Sequence, residues 1–225
     1  MPPRAEERSP PRLEGGGQGG GVDNQRSSEA AREADLCSPN RQTVDFIHMA
    51  DGTRDEYAFI ARCEDGRDAG LADTVLAMLV NLGGNTFGYK VDRLTHCMQS
   101  ASRALRDGAD EEQIVCALLH DVGDNFAPHN HGQFAAAMLR PYVSDENHWV
   151  VAHHGVFQGY YYFHHYDGDR HARDRYKDNP YYDACVRFCE RWDQCAFDPD
   201  YDTLPLETFE PMVRRLFAEP RRKCV

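Results

Sequence analysis

The stretch VDRLTHCMQSASRALRDGADEEQIVCALLHD, residues 91–121, holds two helices and the break between them. Val91, Leu94, Met98, Ala101 and Leu105 recur at three- and four-residue intervals, the period of one helix face. Gly108 ends that helix, since glycine tolerates the left-handed backbone that closes a last turn. Asp110 with Gln113 then forms a capping box, which predicts a second helix over 111–121. Both helices carry groups able to bind a metal: His96 in the first, His120 and Asp121 at the end of the second.

Outward from this pair the helical pattern continues. LADTVLAMLVNL (71–82) places Leu71, Val75, Leu76, Met78, Leu79 and Leu82 on one face. HGQFAAAMLR, starting at His131, is stopped by Pro141, and Ser144 is placed to cap DENHWVVAHH, which ends at His154. A further helix over 181–195 has Cys185, Phe188, Cys189 and Trp192 as its apolar stripe, and the last covers 206–218. Only TVDFIHMADGT (43–53) alternates apolar and polar residues before a D-G turn, which predicts a short strand or extended lead-in. The fold class is therefore all-α, a helical bundle or orthogonal array in one domain over 37–225. Residues 1–36 are glycine-rich and mixed in charge, with nothing to bury, and are predicted to be a disordered tail.

Composition narrows the function. A formal charge of −12 argues against nucleic acid and against a polybasic membrane patch. No run approaches the length of a membrane span. The eight cysteines contain no CxxC pair and follow no secretory leader, so reduced thiols and a cytoplasmic setting are expected.

The metal-capable residues spread over five consecutive predicted helices: His96; His120 and Asp121; His131; His154; and Asp193. Bundles build internal metal sites in this way, one or two donors from each facing helix. His96, His120, Asp121 and Asp193 would satisfy one cation and leave positions for water. His131 and His154 are then surplus, unless a second cation shares Asp121. Imidazole and carboxylate without thiolate suit iron, manganese or zinc. His129 and His148 read as surface residues, and of the neighbours His153 and His154 one is a ligand, because adjacent helical side chains diverge by about 100°.

The segments LTHCMQSASRAL, CALLHDVGD, HNHGQFAA, AHHGVFQGYYYFHH and ERWDQ together resemble the HD-domain superfamily. More narrowly, over residues 40–220, the chain resembles the mixed-valent diiron oxygenases typified by myo-inositol oxygenase and the HD-type phosphonate oxygenases. The resemblance implies His96, His120, Asp121, His131, His154 and Asp193 as ligands of two irons in the Fe(II)/Fe(III) state, with Asp121 bridging. The family's His-small-aromatic run aligns with His154 of HHGVF rather than His153. It also implies that a small substrate and dioxygen meet at the irons and that a C–C or C–P bond is cleaved oxidatively. The alternative within the superfamily is a metal-dependent phosphohydrolase acting on a phosphate ester or nucleotide, where the metals activate water.

The chain departs from that family at two positions. Asp124 stands where the oxygenases carry a basic substrate-touching residue, and Gln158 stands where the phosphonate enzymes carry a lysine. Tyr89, in NTFGYKVDRLTH, is the candidate for the tyrosine that covers the open iron. A free carboxylate at Asp124 beside the aromatic run Tyr160, Tyr161, Tyr162 and Phe163 would hold an amine or trimethylammonium end. Arg173, Arg187 or Lys90 would then meet the substrate's acidic group. The expected substrate is thus a small polar molecule, with an amine-bearing hydroxy-phosphonate as the leading case.

Overall fold

A computed structural model describes residues 43–221; the expected tail and residues 37–42 of the expected domain lie outside them. The described residues are all helical apart from turns and loops, with no strand among them. They fall into two compact units, one up to Gly66 and one from Arg67 onward.

In the first unit the lead-in forms no strand. It bends, makes a 3-10 turn over Met49–Asp51, and is extended at His48 and Gly52 on either side. Helix α1 (Arg54–Ala69) begins here, at a position where the apolar pattern gives no helix. Its start is fixed by a second capping box: the Thr53 hydroxyl accepts from Glu56 N at 3.3 Å, and Glu56 Oε2 accepts from Thr53 N at 2.9 Å. Tyr57 closes over the 3-10 turn, its hydroxyl donating to the Met49 carbonyl.

The second unit contains α2 (Leu71–Val80), α3 (Arg93–Arg106), α4 (Glu111–Leu119), α5 (His131–Leu139), α6 (Asp145–Tyr162), α7 (Tyr182–Phe188) and α8 (Glu210–Leu216). Asp92 caps α3 by accepting from Thr95 N at 2.8 Å, and Gly108, at φ +76°, turns the chain after it. The predicted capping box of α4 is present in both directions. Helices α3 and α4 pack as a pair, as do α5 and α6, and α6 also packs on α7. Ala101 and Ala104 on α3 and Val115, Leu118 and Leu119 on α4 are all fully buried in one shared core. Truncating one such leucine to alanine costs about 2–5 kcal/mol.

Two elements differ from their predicted extents. Helix α6 runs on from His154 to Tyr162, because Val151, His154 and Phe157 stay buried on one continuing face. Gly159 has a steric reason there: a Cβ would lie 2.3 Å from the Phe163 ring. The 181–195 segment is α-helical only to Phe188 and then widens into a π turn over Cys189–Asp193. Its signature is Gln194 N donating to the Cys189 carbonyl five residues back, at 3.0 Å. The six described cysteines, 63, 97, 116, 185, 189 and 195, are free thiols. No helix among the described residues is long and apolar enough to cross a membrane.

Candidate metal centre

The predicted ligands converge in the second unit. His96 projects from the first turns of α3, His120 caps the end of α4, and Asp121 follows it. His131 opens α5, His154 sits mid-way along α6, and Asp193 closes the π turn. His96, His120, Asp121, His154 and Asp193 are buried; His131 keeps 27% of its side chain exposed.

Each of the four histidines is held by its Nδ1. His120, His131 and His154 donate to the carbonyls of Ala117, Pro128 and Val151, three residues earlier, at 2.8, 3.2 and 2.7 Å. His96 donates to the Ala196 carbonyl at 3.0 Å, from the segment just past the π turn. A carbonyl can only accept, so the proton sits on Nδ1 and every Nε2 presents a lone pair to the centre. The Nε2 atoms of His96 and His120 are 3.1 Å apart. Two lone pairs at that separation need a proton or a cation between them. Asp193 Oδ2 is also buried with no hydrogen-bond partner. The donor set therefore fits a metal ion.

The two oxygens of Asp121 face different partners. Oδ2 lies 3.6 Å from both His96 Nε2 and His120 Nε2, and Asp193 Oδ1 lies 3.3 and 3.7 Å from the same two rings. Oδ1 lies 3.2 Å from His131 Nε2 and 3.2 Å from His154 Nε2. Two overlapping groups, His96–His120–Asp193 and His120–Asp121–His154, are each tight enough to hold a cation, all donor atoms within 4.8 Å. Burial resists ionisation of Asp121, but His120, His154 and Arg93 hold its carboxyl well below the usual range. Asp193 is likewise buried, and His120 and His96 hold it low. Burial by itself would lower the His120 imidazole, yet Asp121 and Asp193 raise it above its ordinary value.

The sequence pattern omits Arg93. One helical turn before His96, it points the same way, and its Nη1 lies 3.1 Å from Asp121 Oδ2. Its Nε donates to Asp124 Oδ2 at 3.1 Å, and Asp124 Oδ1 lies 3.7 Å from His131 Nδ1. Asp124 is thus neutralised by Arg93 and is not part of the cavity wall. The free carboxylate at Asp124 on which an ammonium-binding end depends is absent, and Arg93 is the cationic side chain in the cavity wall.

A cavity of about 380 Å³ opens over the cluster. Its wall includes Asp121, His131, His154 and Asp193 together with Tyr89, Arg93, Gln158, Tyr161, Tyr162 and Phe197. Tyr89, Gln158 and Tyr161, which the sequence reading singles out, all line this cavity. The exposed Tyr89 ring stacks on Phe197 at 5.0 Å, and Phe197 stacks on His96 at 4.3 Å. Gln158 Nε2 donates to Asp193 Oδ1 at 3.0 Å. The other expected anion partners lie elsewhere. Arg173 stacks on Tyr160, its guanidinium 3.8 Å from the ring centroid, and Arg187 lines a separate cleft with Asp107, Glu146 and Trp192. Lys90 is exposed and outside the wall. His153 turns away from the metal-binding groups, stacking on Trp149 at 4.2 Å and donating Nδ1 to the Trp149 carbonyl, so His154 is the member of the pair at the centre.

Fold and centre define an all-α protein with a buried His/Asp cluster able to hold a metal. Comparison of the sequence with protein-family models and with curated proteins found no match.

Proposed function

We propose that this chain is a non-haem diiron oxygenase that oxidatively cleaves a C–P or C–C bond of a small, polar, anionic molecule such as a hydroxy-phosphonate. The observation that carries this reading is Asp121, whose two carboxylate oxygens each face a separate pair of imidazole Nε2 atoms. His96, His120 and Asp193 would hold one ion and His131 and His154 a second, with Asp121 placed to serve both. An iron pair bound there supplies sites for dioxygen and for a chelating substrate oxygen. The chain's own residues do the rest. Carbonyl-anchored Nδ1 atoms fix the orientation of all four imidazoles. Arg93 offers an anionic group a guanidinium whose charge Asp121 and Asp124 secure against the cost of burial. Tyr89 and Phe197 shield the His96 side from water.

A metal-dependent phosphohydrolase is the second reading. Arg93 favours it, since a guanidinium beside the HD pair suits a phosphate ester as well as a phosphonate. Metal analysis and EPR of anaerobically reduced protein, followed by turnover of phosphonates, polyols and phosphate esters with and without dioxygen, separate the two. Two irons per chain and product formed only with oxygen are expected. Equal turnover of a phosphate ester without oxygen would establish the hydrolase instead.

A further inference from the structure

Helix α6 has eighteen residues and a glycine at 155, directly after His154. A glycine inside a helix costs about 1 kcal/mol relative to alanine. Gly159, in the same helix, repays that cost by admitting the Phe163 ring. Gly155 has no such neighbour: a Cβ built on it meets nothing within 4 Å. The space it leaves is at the edge of two hollows. One is the 380 Å³ cavity over the His/Asp cluster; the other is a groove of about 470 Å³ lined by residues of α5, α6 and the segment at Arg175 and Tyr176. His131, His154, Gly155 and Tyr162 line both.

The groove differs from the cavity in charge. No carboxylate lines it, and its formal charge comes from Arg175, whose guanidinium lies 4.8 Å from the Tyr176 ring centroid and makes no ion pair among the described residues. His129 and His153 add polar edges to the same wall. The cavity contributes a second guanidinium, that of Arg93, beside Asp121.

We infer that cavity and groove form one passage across Gly155, and that the substrate is an elongated molecule with an anionic group at each end. One end lies in the cavity near Arg93, and the other passes over Gly155 into the groove to meet Arg175. This deepens the oxygenase reading by naming a substrate class, and it rests on that reading for the reacting end. Glycine at 155 is then a length selector: any side chain there would stand in the path.

The test is calorimetric titration of the full-length protein, under argon and with metal content assayed in parallel. The probes are methylphosphonate, which is short, and 6-phosphonohexanoate, which carries a distal carboxylate. Wild type should bind the long probe more tightly. Gly155→Leu and Arg175→Gln should each weaken the long probe at least about tenfold, the scale of a lost contact to a charged group, and leave the short probe within about twofold. Gly155→Ala, which favours the helix, serves as the folding control and should narrow the preference for the long probe with no loss of melting temperature. Equal losses for both probes in Gly155→Leu, or no preference for the long probe in wild type, overturns the inference. A chain that holds no metal yet shows the selective loss keeps this inference and sinks the diiron reading. Oxygen-dependent turnover without length selection does the reverse.

Discussion

On the diiron reading, His131→Ala should remove one metal and keep the other. His131 Nε2 approaches only Asp121 Oδ1, and its single companion on that side is His154. The Oδ2 side retains His96, His120 and Asp193 untouched. Losing a ligand should weaken the outer site by at least the roughly 100-fold that loss of a supporting hydrogen bond can cause. With free metal at about ten times Kd, each intact site is roughly nine-tenths filled and the weakened one about one-tenth filled, so content falls from about 1.8 to about 1.0 per chain. The fold should survive. His131 is partly exposed and its 3.2 Å bond to Pro128 contributes on the order of 1 kcal/mol, a shift of about 2–4 °C in the metal-free Tm. Plasma emission analysis after anaerobic reconstitution, with circular dichroism melts, reads both numbers. Retention of two metals, or loss of both, would refute the division of Asp121 between two sites.

Two further outcomes follow from other groups. Glu112 Oε1 accepts from Ser144 N at 2.6 Å and Asn147 Nδ2 at 2.7 Å, tying α4 to the start of α6, so Glu112→Ala should lower Tm by about 4–8 °C. A melt shifted by less than about a degree would show that the tie contributes nothing. His120 is raised above its ordinary value in the metal-free state, so the stability it adds is full below the unfolded pKa and is lost as pH climbs through the folded one. The chelated protein should therefore melt lower as pH rises above about 6.5, while metal binds more tightly and displaces protons on uptake. A metal-free Tm that rises across that span contradicts the assignment.

Much of the fold was legible because its signals are local. The α3–α4 pair follows from the apolar period, Gly108, Asp110 and Gln113, and the start of α6 from Ser144. Helix α1 was missed for want of an apolar face, although Thr53 and Glu56 spell the same capping box as the one recognised at Asp110. The six metal-capable residues were readable as a series of types on successive helices. Their electrostatic surroundings were not. Asp124 looked like a free charge because its partner, Arg93, lies thirty-one positions away and meets it only once α3 packs on the turn after α4. The i, i+3 relation of Arg93 to His96 was the available clue. Arg173 and Arg187 fall outside the cavity wall, because nearness in sequence to the aromatic run or to a ligand does not decide which side of a helix a side chain leaves from.

The π turn at Cys189–Asp193 makes the last ligand a matter of phase. Each residue of an α-helix advances the side chains by about 100°, and the wider turn absorbs one residue without lengthening the path. Phe188 and Cys185 stay locked in the core on the near side, while everything after them is rotated by one step. Were the same residues wound as an ordinary helix, Asp193 would swing by that same step, away from His96 and His120, with the anchoring side chains unmoved. The helix thus behaves as a vernier: its body is set by apolar packing, and its tip, where a carboxylate must meet two imidazoles, is set independently by the surplus residue.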